Sequence, residues 1–322
     1  MFLLNPRVLI TGISGFIGQY LCDRLQKEGY EVFGLYQDGT STTKNELQDS
    51  HKYIADLRDE KSIGIVVKSI QPHFVIHLAA KTEVALSFDN YREVSEVNYI
   101  GTVVLAEACR KFCPNLKLFV MASTMETYGL HESEGAFDEN TEQRPMAPYS
   151  VAKLACEKYL AYMSYAYNFP YTILRQTNTY GRTDNDFFIM ERIITQMLWD
   201  DELNLGEPTP VRNFIYIDDL IDLYVTLLEK YEIAQNEVFC VGPDNGLTIE
   251  ELAEKIASIM SWEGKIHWNH RKDGLGKLPG EIYYLNSSGA KAKTLLGWEP
   301  KISLDEGIKK TIDIWKDQII VR

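Results

Sequence analysis

Thr11-Gly12-Ile13-Ser14-Gly15-Phe16-Ile17-Gly18 follows the apolar run Arg7-Val8-Leu9-Ile10 and opens an amphipathic segment over 16–28. A strand, a Gly-rich turn and a helix in that order form the context in which such glycines mean dinucleotide binding. Gly12 permits the tight turn, Gly15 lets backbone approach a pyrophosphate, and Gly18 allows close helix–strand packing. The helix N-terminus offers its N–H groups to the anion. Working outward, short apolar runs at 8–10, 32–35, 74–78, 118–122, 171–174 and 237–241 alternate with helical patterns. This alternation predicts an α/β fold, a doubly wound and largely parallel sheet. A smaller, mostly C-terminal α/β lobe is expected beside it. There Thr248-Ile249-Glu250-Glu251 and Ser303-Leu304-Asp305-Glu306 read as capping boxes that each start a helix. The expected division is 1–181 plus 212–242 for the dinucleotide-binding part and 182–211 plus 243–322 for the lobe.

Of the 322 residues, 45% are hydrophobic and 25% charged, the balance of a globular chain able to bury a sizeable core. No apolar run approaches the roughly 20 residues needed to cross a bilayer. Met1-Phe2-Leu3-Leu4 leads straight into a strand and not a signal peptide, so a cytoplasmic protein is expected. The five cysteines, at 22, 109, 113, 156 and 240, are odd in number and lack paired metal spacing. Free thiols and no metal are expected, and His267 and His270, beside Trp268, read as surface or packing residues. A formal net charge of −13 argues against nucleic-acid or anionic-membrane partners. An anionic ligand would then need a locally basic pocket, for which Arg182, Arg212, Arg271, Lys272 and Lys277 are the candidates.

A second motif, Tyr149-Ser150-Val151-Ala152-Lys153, lies in a segment over 148–168 that reads as a helix. Residues four apart share a helix face, and a nearby ammonium lowers a phenol's pKa, producing a base able to work near neutral pH. With Ser123-Thr124 upstream and the glycine motif, this arrangement resembles the extended short-chain dehydrogenase/reductase superfamily, specifically its nucleotide-sugar epimerases and dehydratases. The resemblance runs through Asp56-Leu57, His77-Leu78-Ala79-Ala80, Asn98-Tyr99-Ile100-Gly101-Thr102, Asn178-Thr179-Tyr180-Gly181 and Gly297-Trp298-Glu299-Pro300. It implies a Rossmann sheet, a nucleotide-diphosphate sugar in the cleft between sheet and lobe, and a homodimer through the Tyr149 helix and the helix at 91–112. It also implies a dinucleotide held by Gly12, Ser14, Gly15, Phe16, Ile17, Gly18, Asp56, Leu57, Leu78, Ala79, Ala80, Lys81, Asn98, Tyr149 and Lys153. Selectivity is read at Tyr36-Gln37-Asp38. The family's NAD enzymes usually carry Asp where Tyr36 stands, and its NADP users carry basic residues nearby. Asp38 would reach the ribose and repel a phosphate, which favours NAD, whereas Lys44 keeps NADP open.

Thr124-Met125-Glu126 discriminates within the family. In its 4,6-dehydratases this stretch carries a Thr that hydrogen-bonds the sugar C4 hydroxyl and a Glu that abstracts the C5 proton. A C4 ketone acidifies the adjacent C–H because the carbanion becomes an enolate. The resemblance thus gives Tyr149 as base for the C4 hydroxyl, Lys153 as its tuner and a ribose ligand, Thr124 as orienter and Glu126 as the C5 base, with Ser123 supporting the loop. Met125 departs from the pattern. Relatives acting on deoxythymidine-linked glucose have an Asp acid there and the GDP-mannose type a Ser, so Glu126 would also have to protonate the leaving hydroxyl. The substrate side is expected to comprise Glu83, Ser123, Thr124, Asn178, Arg182, Arg212, Lys277 and Glu281, with Arg212 gripping phosphate. Leu278 stands where the GDP-mannose branch has a second phosphate Arg, and Lys277 would serve as a point charge. A C4 epimerase, a 4-dehydrogenase and a 4-keto-sugar reductase are the alternatives. A cofactor sensor without turnover is a third class, opposed by the presence of both Tyr149 and Lys153.

Overall fold

The computed structural model describes residues 5–37, 47–131, 135–269 and 282–320. Its strands in chain order are β1 (Arg7–Thr11), β2 (Glu31–Tyr36), β3 (Lys52–Ile54), β4 (Phe74–His77), β5 (Leu118–Thr124), β6 (Tyr171–Gln176) and β7 (Asn178–Tyr180). They continue with β8 (Glu202–Asn204), β9 (Val211–Arg212), β10 (Phe214–Tyr216), β11 (Glu237–Val241), β12 (Leu247–Thr248), β13 (Lys265–His267) and β14 (Tyr284–Leu285). Seven of them form one sheet in the order β11-β6-β5-β4-β1-β2-β3, and every pairing in it is parallel. The chain builds outward from β1 to β3, then crosses back to lay β4 on the other side of β1. That reversal opens a crevice at the carboxyl ends of β1 and β4, where ligands bind in such sheets.

All six expected strands are present, β11 with the expected bounds and the others shifted by one or two residues at an end. β3 was not expected. It has three residues, two of them exposed, and lies at the sheet edge, so it has no apolar run to betray it. β4 and β6 are buried along their whole length, as parallel strands covered on both faces must be. Alternate residues of β1 feed different cores: Val8 and Ile10 pack with helices Phe16–Lys27 and Ile217–Glu229, and Leu9 with helices Glu60–Ile70, Gly101–Phe112 and Pro148–Tyr167.

The first of these cores continues without a break into the C-terminal elements, through Leu203, Ile256, Trp298 and Ile312. Those elements form small sheets of their own: β12-β9-β14, and β13 with β8. Both capping boxes start helices. Thr248 Oγ1 accepts from the Glu251 N–H at 3.1 Å and Glu251 Oε2 accepts from the Thr248 N–H at 2.7 Å, opening helix Ile249–Met260. Ser303 Oγ accepts from the Glu306 N–H at 3.3 Å ahead of the last helix, Leu304–Ile320. Buried Asp219 accepts from the Lys301 and Ile302 N–H groups at 3.0 and 2.9 Å and so ties the stretch after Trp298 to helix Ile217–Glu229. Among the described residues, no helix is long and apolar enough to cross a membrane, and no group of three His, Cys, Asp or Glu could hold a metal. All five cysteines are free and buried.

Candidate active site

The crevice floor is made of backbone. Gly12 has φ +70°, and a Cβ there would lie 2.7 Å from the Ala79 nitrogen. One on Gly18 would lie 2.5 Å from the Gly12 carbonyl oxygen. Only glycine lets β1, β4 and helix Phe16–Lys27 converge this closely. Gly15, exposed, caps the helix without a side-chain bond, so the first-turn N–H groups, which have no partner inside a helix, face the crevice mouth.

Polar side chains lock the strand ends around this floor. Buried His77 bridges Thr11 Oγ1 at 2.7 Å through Nδ1 and Thr102 Oγ1 at 2.8 Å through Nε2, and Thr11 Oγ1 also accepts from the Ala79 N–H at 3.2 Å. Burial drives the His77 pKa down to about 3, with the Lys153 charge adding to the effect, so the ring is neutral. The helix expected at 91–112 contains a π turn over Glu96–Ile100. Such turns interrupt helices at functional sites, and this one presents Asn98. Its side-chain amide accepts from the Lys81 N–H at 2.8 Å and donates to the Lys81 carbonyl at 3.0 Å, fixing the segment after β4. The Lys81 ammonium itself pairs with Glu93 at 3.2 Å.

At the far end of the crevice several expected ligands are otherwise engaged. The Tyr36 ring is buried in the core. Asp56 is held by Arg58 at 2.5 Å, a bond that lowers the carboxyl pKa. Leu57 packs against the helix at Gly101, where a Cβ would lie 2.9 Å away. Asp38, Lys44, His270, Arg271, Lys272, Lys277 and Glu281 lie outside the described residues.

At the other end, β5 stops at Thr124 and a 3-10 turn, Met125–Thr127, follows; Thr124 Oγ1 accepts from the Glu126 N–H at 3.2 Å. Helix Pro148–Tyr167 starts with Pro in its first turn and buries Tyr149, Lys153 and Glu157 on one face. The structure brings Thr124, Glu126 and Tyr149 together. Burial raises the Tyr149 pKa, the Glu126 charge raises it further, and a hydrogen bond from Thr124 lowers it. Glu126 is half-buried, and its own pKa is raised by desolvation against the opposing pull of Arg212.

Four of the expected residues have partners of their own in the structure. Lys153 shares the helix face with Tyr149, and its Nζ reaches the strand end and donates to the Ala122 carbonyl at 2.7 Å. Ser123 turns its hydroxyl behind the loop and donates to Glu157 at 2.5 Å. Arg212 donates to the Val211 and Ile282 carbonyls, each at 2.8 Å, with its charge acting on Glu126. Arg182 is a packed link between the Gly-rich helix and the lobe. Its guanidinium lies 4.5 Å from the Phe16 ring centroid and 3.7 Å from that of Phe188, and 3.6 Å from buried Glu191. Asn178 donates to the Asn213 carbonyl at 3.2 Å, and Glu83 is exposed at the start of helix Val84–Ser87. Met125 is buried among Tyr128, Phe137 and Leu285. Sequence reasoning missed Glu157 and Arg175, paired at 2.9 Å behind the site. The signal for Glu157 was its place four residues after Lys153.

A family model for GDP-mannose 4,6 dehydratase matches residues 9–311. The dTDP-D-glucose 4,6-dehydratase of Homo sapiens is 28% identical over 321 residues, covering 97% of this chain and 90% of that protein. The UDP-glucose 4-epimerase of Thermotoga maritima, solved with UDP-glucose, superposes with a TM-score of 0.88 at 29% identity, covering 97% of this chain and 99% of that one. The UDP-glucuronic acid 4-epimerase of Bacillus cereus, solved with UDP-glucuronic acid and NAD, superposes with a TM-score of 0.84 at 29% identity and the same coverage. With the doubly wound sheet, the glycine crevice and the Thr124–Tyr149 pair described, the chain belongs to the GDP-mannose 4,6 dehydratase family, among the nucleotide-sugar epimerases and dehydratases of the extended short-chain dehydrogenase/reductase superfamily.

Proposed function

We propose that the protein is an NAD-dependent nucleotide-sugar 4,6-dehydratase. The observation that carries this reading is Glu126, a half-buried carboxyl of raised pKa whose charge acts on Tyr149. Gly12 and Gly18 let the strand ends and the helix close together, and exposed Gly15 leaves open backbone at the helix N-terminus, an arrangement that fits a dinucleotide pyrophosphate. Gly12, Gly15 and Gly18 would hold it, and NAD would supply a two-electron oxidation at sugar C4 and its return at C6. The relative solved with UDP-glucuronic acid and NAD supports that choice of ligands. The sugar would lie between the sheet part, 1–181 plus 212–242, and the lobe, 182–211 plus 243–322.

Tyr149, as the phenolate, takes the proton of the C4 hydroxyl, and Thr124, whose hydrogen bond opposes the rise that burial and Glu126 give the phenol pKa, orients both oxygens. The C5–H then lies next to a carbonyl, and Glu126, a stronger base for its raised pKa, removes that proton. The C5–H electron pair forms the C5–C6 double bond as the C6–O bond breaks. Glu126, now protonated, gives the proton to the departing hydroxyl, and water leaves; when C6 is reduced, C5 takes a proton from solvent, which is the deuterium the experiment reads. The same carboxyl serves twice because Met125 is turned into the apolar cluster.

That burial of Met125 also favours a second reading, C4 epimerisation, which needs no acid for a leaving group. The experiment is mass spectrometry after incubation with GDP-mannose and with UDP-, dTDP- and CDP-glucose, without added reductant, in deuterated water. Loss of one water with deuterium incorporated supports dehydration; a C4 epimer of unchanged mass refutes it. Pairing of two copies through the Tyr149 helix and the helix at 91–112 is part of the same proposal, supported by exposed Tyr91, Val151, Tyr162 and Tyr165.

A further inference from the structure

Behind the reacting groups lies a buried ion pair that the chemistry above does not use. Glu157 and Arg175 are 3% and 5% exposed and 2.9 Å apart. The Glu157 carboxylate accepts from Arg175 through Nε and Nη2, from Ser123 Oγ at 2.5 Å and from Gln143 Nε2 at 2.9 Å. Arg175 Nη1 donates to the Tyr128 hydroxyl at 2.9 Å, and that hydroxyl donates to the Asp138 carbonyl at 2.7 Å. A buried pair so completely hydrogen-bonded fixes the geometry of whatever its partners carry.

Those partners bracket the site. Ser123 immediately precedes Thr124, and Tyr128 follows Glu126 by two residues, so the loop bearing both is pinned at each end. Glu157 sits four residues beyond Lys153 and eight beyond Tyr149, on the same buried helix face. We propose that Glu157 and Arg175 are positioning residues: their ion pair sets the register between the loop carrying Thr124 and Glu126 and the helix face carrying Tyr149 and Lys153. The inference rests on the reading of those four residues as the reacting groups. Without the clamp, the turn after β5 would be held by Thr124's own bond to the Glu126 N–H and by the bond of Thr127 to the Thr124 carbonyl at 2.9 Å. Both lie within the turn; against the helix, the Lys153 bond to the Ala122 carbonyl and the Thr124–Tyr149 bond remain, and the clamp adds the ties at Ser123 and Tyr128 on either side of Glu126.

The test removes one anchor at a time and leaves the ion pair intact. In Ser123→Ala and Tyr128→Phe, kcat is expected to fall at least about tenfold with KM held within about twofold, since a small misplacement of reacting groups is costly in the chemical step. Ser123→Thr, which keeps the hydroxyl, restores kcat. Independently of substrate, the 13Cζ resonance of Tyr149, assigned by its loss in Tyr149→Phe, is expected to move in both variants. Thermal melting checks that each variant is folded. If kcat and the Tyr149 resonance both stay at wild-type values in folded Ser123→Ala and Tyr128→Phe, the positioning role is overturned. If wild-type protein turns over no nucleotide sugar while the resonance moves as expected, the register stands and the dehydratase reading falls.

Discussion

His77 makes the fold sensitive to acid by an amount that the structure sets. Its ring is fully buried between Thr11 and Thr102, with both nitrogens hydrogen-bonded, and its pKa is held at about 3 against 6.5 for the free side chain. The native state therefore keeps the ring neutral while the unfolded chain protonates it below pH 6.5. Stability from His77 is fully present above the unfolded value and drains away as pH falls toward 3. Between about pH 7.5 and pH 5 the unfolded state gains about 1.5 units of protonation free energy, or about 2 kcal/mol, and no more than a trace of it is regained by the native state. Urea denaturation of the wild type and of His77→Gln at both pH values measures this. The variant is expected to be less stable at neutral pH, yet its loss on acidification should be smaller by about 2 kcal/mol. Because the comparison is between pH dependences, other titrating carboxyls cancel. Equal losses in the two proteins would refute the buried neutral imidazole.

Four further outcomes follow from the site. Glu126→Gln should cut dehydration by about 10²–10⁴-fold, the usual contribution of a positioned base, read as water loss by mass spectrometry. The same substitution removes the negative charge that raises the Tyr149 pKa, so the acid limb of the C4 oxidation step should move to lower pH in a single-turnover pH profile. An unmoved limb would mean that the two groups are uncoupled. Gly18→Ala places a methyl 2.5 Å from the Gly12 oxygen and should cost about 1–3 kcal/mol while weakening NAD in a fluorescence titration, because backbone must shift. Arg182→Met strands the Glu191 carboxylate, already 0% exposed with Oε2 unpartnered, and should cost about 3–5 kcal/mol in urea denaturation.

The sheet was legible because its signals are local. Each buried strand is a short apolar run, and the turn after β1 needs glycine where a Cβ would strike Ala79. β3 escaped because an edge strand of three residues with one side chain half-buried has no pattern to read. The π turn at Glu96–Ile100 escaped for a different reason. Its residues look helical, and the Asn98 carbonyl within it accepts from side chains, Thr102 Oγ1 one turn on at 2.5 Å and Cys156 Sγ of another helix at 3.2 Å, the second a contact distant in sequence.

Spacing is informative about which residues share a face and silent about where a long side chain ends. Tyr149 and Lys153 do share one, yet four methylenes carry the ammonium to the Ala122 carbonyl, and the phenol pKa is set by burial, by the Glu126 charge and by the Thr124 hydrogen bond. Ser123 and Thr124 are adjacent on β5 and so point to opposite faces. One hydroxyl meets Tyr149 and the other must find Glu157. Met125 and Glu126 begin a 3-10 turn, in which neighbours diverge by about 120°, so burying the thioether beside Tyr128 and Leu285 turns the carboxyl toward the phenol. The residue that looked like a defect in the motif is thus part of what aims the proposed base. An Asp there would bring a second carboxyl into an apolar cluster, where it would have to stay protonated or break out. Met125→Asp therefore separates the readings: a gain in water loss means that the leaving group lacked an acid, and a loss of folding with no gain means that the turn's apolar anchor was the requirement.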